Sequence, residues 1–178
     1  TAWLFARKEM VGALDYLFID EAGQVSVANL VAMSRVAKNI ILIGDQMQLE
    51  QPIQASHPKG SGQSTLEYFL GDKQTIPENL GIFLDTTWRM HPDVCHFVSQ
   101  SFYEGRLMAR PENINQRLIL SEQAHQFLKI DAGISFIPVE HFGNTQSSRE
   151  EGEAIKALSQ MLIGQKYSDK KGNIHSLK

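Results

Sequence analysis

Three short segments combine residue types that could act on a phosphoanhydride. Asp20-Glu21-Ala22-Gly23 sets two adjacent carboxylates directly after the apolar run Tyr16-Leu17-Phe18-Ile19. A carboxylate at a strand end can hold Mg²⁺, usually through the waters that the ion keeps. A second carboxylate beside it can orient or deprotonate an attacking water. Gly44-Asp45-Gln46-Met47-Gln48-Leu49, with Pro52 beyond, follows a second run, Ile40-Ile41-Leu42-Ile43. A glutamine there is neutral, both donor and acceptor, and could sense a terminal phosphate. Thr87-Trp88-Arg89-Met90-His91-Pro92 follows a third run, Ile82-Phe83-Leu84. An arginine at that place could reach across to a phosphate, an arrangement that supplies roughly 10³–10⁵ in rate. Taken singly, each segment has a plainer reading. An acidic pair favours the start of a helix, Gly-Asp is a common turn, and a surface arginine usually pairs with a carboxylate.

The elements around these segments must place them together. The runs at 16–19 and 40–43 lack alternation, which suits strands of a parallel sheet buried on both faces. Between them Val27, Leu30, Val31 and Ser34 recur at helical spacing, giving a helix from Val27 to Ala37 and a βαβ unit. In such units the strands' carboxyl ends are where ligands bind. Asp20, Asp45 and Gln48 therefore belong at neighbouring strand ends. Residues 50–63 read as a polar loop, and Ser64-Thr65-Leu66-Glu67 as a capping box opening a short helix. Pro92 suits the first turn of another helix, with Val94, Phe97, Val98 and Phe102 as its apolar stripe and Gly105 as its end. Residues 106–126 show no clear pattern. Ile134 to Val139 reads as a buried strand, and Glu150 to Ile163 as a helix with Ala154, Ile155, Leu158 and Leu162 on one face. The tail from Gln165 to Lys178 is polar and loop-like.

The three segments, in this order, resemble motifs II, III and IV of superfamily 1 DNA/RNA helicases. The resemblance is to the branch of the nonsense-mediated-decay helicases and the replication nuclease-helicases. That family carries a DEAG-type Walker B, a GDxxQLxP segment, and QYRMHP before a helix ending FYxGxL; this chain has DEAGQ, GDQMQLEQP, TWRMHP and Phe102-Tyr103-Glu104-Gly105-Arg106-Leu107. Ser147 to Ala154 is similar to the family's SxxNxxEA, with Glu150 in place of its Asn. Thr87-Trp88 replaces the family's Gln-Tyr, and Pro52 comes one residue late, after Glu50-Gln51. The resemblance implies an ATP-dependent helicase using ATP and Mg²⁺. In it Asp20 binds the metal, Glu21 activates water, Gln48 contacts the γ-phosphate, Arg89 is an arginine finger and Asp45 supports the same site. It implies an α/β fold made of parts of two RecA-like domains with parallel sheets, the P-loop NTPase fold. Residues 1–84 would be the C-terminal part of the first domain and 85–178 the N-terminal part of the second. Nucleotide would bind between them and single-stranded DNA or RNA would cross both.

The P-loop itself is not in the sequence, since none of the 13 glycines is followed by Lys. With Thr1 rather than Met at the start, the chain is expected to begin after the P-loop and stop before the second domain is complete. The remaining domains of the same polypeptide are then partners, a fused nuclease among the options. Lys59-Gly60-Ser61-Gly62 follows a loop rather than a strand and reads as a flexible connector. Cys95 reads as a small core residue and His91 as a helix-start residue. Arg106, Arg110 and Arg117 read as a solvated loop rather than a backbone grip. With a net charge of −3 the chain is not a polybasic binder. The 6 histidines show no metal-ligand spacing. No apolar run spans a bilayer and no leader opens the chain, so no membrane is expected. A single cysteine excludes an intrachain disulfide and fits a reducing cytoplasm.

Two rivals share these residues: a nucleic-acid-binding segment of an inactive helicase-like protein, and a RecA-like ATPase that remodels another substrate. The Arg-Met-His-Pro segment and the FYEGRL ending favour the helicase. In the implied strand order the Ile40 to Ile43 strand lacks the P-loop strand as its neighbour, and open apolar edges invite association. The 178 residues alone are therefore expected to bind ATP weakly, to unwind no duplex and to self-associate. Calorimetry with Mg-ATP and light scattering check this. Micromolar ATP binding by a clean monomer would overturn it.

Overall fold

The computed structural model describes residues 2–49 and 58–178; Pro52, the residues just before it and most of the adjoining polar loop lie outside them. The chain forms two compact units, Thr1–Phe83 and Leu84–Lys178. It is mixed α/β with small sheets, two of them parallel. Among the described residues no helix is long and apolar enough to cross a membrane.

The first unit holds α1 (Ala2–Phe5), β1 (Leu14–Ile19), α2 (Val27–Met33), β2 (Ala37–Leu42) and α3 (Thr65–Leu70). β1 and β2 pair in parallel, with Leu17 opposite Ile40 and Ile19 opposite Leu42. Both strands start before the apolar runs, and α2 is shorter than its periodicity. Its last turn tightens into a 3₁₀ turn at Ser34–Val36, where Ser34 Oγ donates to the Val31 carbonyl at 2.8 Å. Leu17, Ile19, Ala22, Leu30, Met33, Val36, Leu66 and Leu70 form the core. The unbroken apolar runs are not buried on both faces. Burial alternates along β1, leaving Phe18 63% exposed, because among the described residues the core covers only one side of the sheet. Lys59-Gly60-Ser61-Gly62 is tied down rather than a free connector. The carbonyls of Gln63 and Ser61 accept from Val27 and Ala28 N–H, and Ser26 Oγ accepts from Asn29 N–H. These are three orphan donors at the start of α2. Ser64 Oγ accepts from Glu67 N–H at 3.1 Å, so α3 opens as the sequence requires.

The second unit begins with a short βαβ passage: β3 (Thr86–Thr87), α4 (Pro92–Phe102) and β4 (Met108–Ala109), the two strands parallel. The run Ile82-Phe83-Leu84 is not the strand. Ladder bonding starts only at Asp85, whose carbonyl accepts from Met108 N–H, and Ile82 is 85% exposed. The buried face of α4 is Cys95 and Ser99, not the stripe of Val94, Phe97, Val98 and Phe102. Small residues win because the return strand comes close there: Ser99 Oγ accepts from Leu107 N–H at 2.9 Å. Cys95 is a core residue, and burial pushes its thiol pKa up. Beyond β4 come a 3₁₀ turn at Pro111–Asn115, β5 (Arg117–Ile119), α5 (Glu122–His125), α6 (Arg149–Leu162), β6 (Lys166–Ser168) and β7 (Ile174–Ser176). Ile134 to Val139 is not a strand: among the described residues no strand pairs with it, and Phe136 is exposed. The helix expected from Glu150 is α6, capped by Ser148.

The polar tail is no loop but the hairpin β6–β7, completing an antiparallel sheet with β5. Asp169 builds its turn. Its carboxylate accepts from the backbone N–H of Lys171 and Asn173, from the Asn173 side chain and, at 3.1 Å, from His175 Nε2. These bonds, that from the Asn173 side chain foremost, hold the carboxyl well below its usual range. A depressed folded pKa means this contribution is full above the unfolded value, about 3.9, and is lost as pH falls through the lower folded value. Amide exchange at Gly172 and Asn173 should therefore keep its protection down to about pH 4 and lose it in stronger acid. Asp169→Asn should weaken that protection at neutral pH and flatten the acid dependence. An unchanged profile would show that the carboxylate does not hold the turn.

Candidate functional site

β1 delivers Asp20 and Glu21 to its carboxyl end. Asp20 Oδ1 accepts from Glu21 N–H at 3.0 Å, and both side chains are exposed. Glu21 has φ 52° and ψ 41°, a left-handed conformation uncommon for a residue with a Cβ. It turns the chain at once into the buried pair Ala22 and Gly23. The β2 end lies against this turn: Ile43 N–H donates to the Ile19 carbonyl at 2.8 Å, and Ala22 N–H to the Ile43 carbonyl at 2.9 Å. The contact then becomes too close for side chains. A Cβ on Gly23 would sit 2.4 Å from the Asp45 carbonyl oxygen, and one on Gly44 would sit 2.7 Å from the Ala22 nitrogen. The first two segments thus meet through their glycines.

Asp45 is half-buried. Its Oδ1 accepts from Met47 N–H at 3.0 Å and its Oδ2 from Gln48 Nε2 at 3.1 Å. Gln48 is exposed but aimed by that bond. Gln46 faces elsewhere, donating to the carbonyls of Lys73 and Gln74. Asp20, Asp45 and Gln48 all follow neighbouring parallel strands at the same end of one sheet.

Arg89 belongs to the second unit, just past β3. Thr87 Oγ1 accepts from the N–H of Arg89 and of Met90. Among the described residues no carboxylate pairs with the Arg89 guanidinium, so the ordinary fate of a surface arginine is not met here. His91 caps α4, its Nδ1 accepting from Asp93 N–H at 3.1 Å, and Pro92 takes the first helical position. His91 Nε2 is buried without a partner among the described residues. Nδ1 lies 3.5 Å from the Asp93 carboxylate as well. The backbone contact is the shorter of the two.

Two contributors lie outside the expected site: Asn113, which carries no sequence signal, and Arg110, expected in a solvated loop. Asn113 is fully buried beneath the Arg89 turn. Arg110 stacks on Trp88, 3.7 Å from the ring centroid, and forks onto Glu112. That fork holds the Glu112 carboxyl below its usual range. Arg117 bonds the Ile114 carbonyl and lies 3.7 Å from Asp131. The arginines of this stretch are engaged within the fold rather than arrayed as a strand-binding row, and their spacing alone could not show it.

A family model described as an AAA domain matches residues 62–174. The chain is 35% identical over 94 residues to the probable helicase MAGATAMA 3 of Arabidopsis thaliana, covering 52% of this chain and 11% of that protein. It is 34% identical over 92 residues to helicase sen1 of Schizosaccharomyces pombe, covering 51% and 5%. With the DNA polymerase alpha-associated DNA helicase A of the same yeast it shares 29% over 160 residues, covering 89% and 22%. The chain belongs to the AAA-domain family of superfamily 1 helicases. Membership implies the P-loop NTPase fold, with which the small parallel sheets agree. The helicase relatives are much longer, and the chain spans at most 22% of those just named.

The glycine contact offers a direct test. Gly23→Ala should force the two turns apart and cost on the order of 1–3 kcal/mol, as overpacking does. A denaturant midpoint indistinguishable from wild type would show that the turns are not in contact.

Proposed function

We propose that the chain carries the metal- and water-handling part of an ATP-dependent motor that moves on single-stranded DNA or RNA. Residues 1–84 and 85–178 are then parts of two RecA-like domains, and ATP hydrolysis drives movement on the strand. The observation that carries this reading is the meeting of two turns, rich in carboxylate and glutamine, at the carboxyl ends of neighbouring parallel strands. Open α/β sheets bind ligands at that edge. The helicase relatives support nucleic acid as the track, and membership of the AAA-domain family supports ATP as the nucleotide.

Asp20 is a hard carboxylate donor at a strand end, which fits Mg²⁺. Bound there, the ion would offset charge on the β- and γ-phosphates. Glu21 accepts the proton of the attacking water. Gln48 spends one amide N–H on Asp45, which orients the group. Its second N–H and its carbonyl remain for a γ-phosphate oxygen and the water. Arg89 meets the charge that develops on the transferred phosphoryl group. In this reading the phosphate cradle belongs to the part of the first RecA-like domain that lies outside residues 1–84.

Glu21→Gln in the intact protein should leave ATP affinity nearly unchanged and lower hydrolysis by about 10² or more, because the charge at the metal stays and the base is lost. Hydrolysis at the wild-type rate would remove Glu21 as the base. Arg89→Ala should lower kcat by roughly 10³ while KM for ATP moves little.

A further inference from the structure

The stretch 106–126 supplies nothing to the proposed chemistry, yet Asn113 within it is only 1% exposed. Its backbone is spent locally: Asn113 N–H donates to the Arg110 carbonyl, and its own carbonyl accepts from Gln116 N–H. Its side chain reaches back to the third segment. Nδ2 donates to the Thr87 carbonyl at 3.3 Å and to the Met90 carbonyl at 2.9 Å. These carbonyls stand on either side of Trp88 and Arg89. Both donors of one carboxamide therefore bracket the two residues whose side chains leave the turn.

We propose that Asn113 is the positioning residue for Arg89, fixing the backbone turn from which that arginine is presented to the nucleotide. This rests on the reading of Arg89 as a finger. Mere satisfaction of buried carbonyls does not explain the arrangement, since the Thr87 carbonyl already accepts from Arg110 N–H at 3.1 Å. The extra bond does something else: it ties the start of the turn to its end through one rigid group. Thr87 Oγ1 closes the inside by accepting from Arg89 and Met90 N–H. Arg110, three residues before Asn113, lies over Trp88 and so fixes the side chain beside the arginine. The backbone of residue 89 is held from both ends while the residue itself stays exposed. Placement matters at this scale, for an error of about 1 Å in a catalytic group can cost about 10²-fold.

The test is a double-mutant cycle on nucleic-acid-stimulated ATPase of the intact protein. Asn113→Ala should lower kcat about 10- to 100-fold with KM for ATP within about threefold. In an Arg89→Ala background the same change should cost less than about threefold, because the group it positions is gone. Equal losses in both backgrounds, or a kcat within about twofold of wild type, would overturn the proposal. Arg89→Ala alone separates the two ideas. If it leaves kcat unchanged, the finger reading fails. If it lowers kcat and the cycle shows no coupling, only the role of Asn113 fails. Should Asn113→Ala not fold, Asn113→Ser, which keeps a buried donor too short to span both carbonyls, goes through the same cycle with the same criteria.

Discussion

Between the turn that follows β1 and the turn that follows β2 there is room for hydrogen atoms and little else, as the absent Cβ atoms of Gly23 and Gly44 show. Much of the first unit depends on that contact. It lets Ala22 N–H extend the parallel ladder one step past the strands, onto the Ile43 carbonyl. It seats Ala22 in the core with Ile19 and Leu66, so the turn bearing the carboxylates is anchored by apolar burial as well as hydrogen bonds. The cover over this core is tied to the same place. Thr65 donates through both its N–H and its hydroxyl to the Val25 carbonyl, and the loop before α3 caps α2. A change at either glycine would therefore reach the helices and not the turn alone.

The second unit meets the same demand differently. Arg89 follows a strand of two residues, too short to orient anything by pairing alone. Fixation comes from two sequence-distant groups, Asn113 across the turn and Arg110 on the Trp88 ring, and from adjoining His91 and Pro92, which start α4. Here buried polar side chains do what backbone packing does in the first unit. Such bonds give direction at the cost of desolvating the groups that make them.

The three segments were legible because residue type, order and spacing carry them, and so was the βαβ passage of the first unit. What escaped has particular causes. Asn113 acts on residues far back in the chain from a stretch without periodicity, and a lone asparagine in a polar segment has no sequence signature. The inward face of α4 was misread because apolarity favoured Phe97 and Phe102, whereas the approach of Leu107 selects the small Cys95 and Ser99. Ile134 to Val139 has a strand's composition, but a strand exists only where a neighbour pairs with it. The tail hairpin was hidden by its lysines, although Asp169 and Gly172 are turn residues at the right spacing.

Glu21 shows how these segments differ from ordinary surface. A non-glycine residue in the left-handed region costs about 1–2 kcal/mol, and the local bonds offset it: Gln24 N–H to the Glu21 carbonyl at 2.8 Å, and Ala22 N–H to Ile43. The strain is thus stored in backbone that is otherwise over-determined, while the carboxylate is exposed. Gln48, aimed by Asp45, and Arg89, held through Thr87 and Asn113, repeat the pattern. Fixed main chain with free polar heads loses little entropy when a ligand is gripped and keeps the heads solvated when it is released. A binding surface built for permanence would bury those heads. For the function proposed above, taking up and letting go of a charged ligand in every cycle, rigid turns with exposed functional groups serve better, and each of the three segments has that construction.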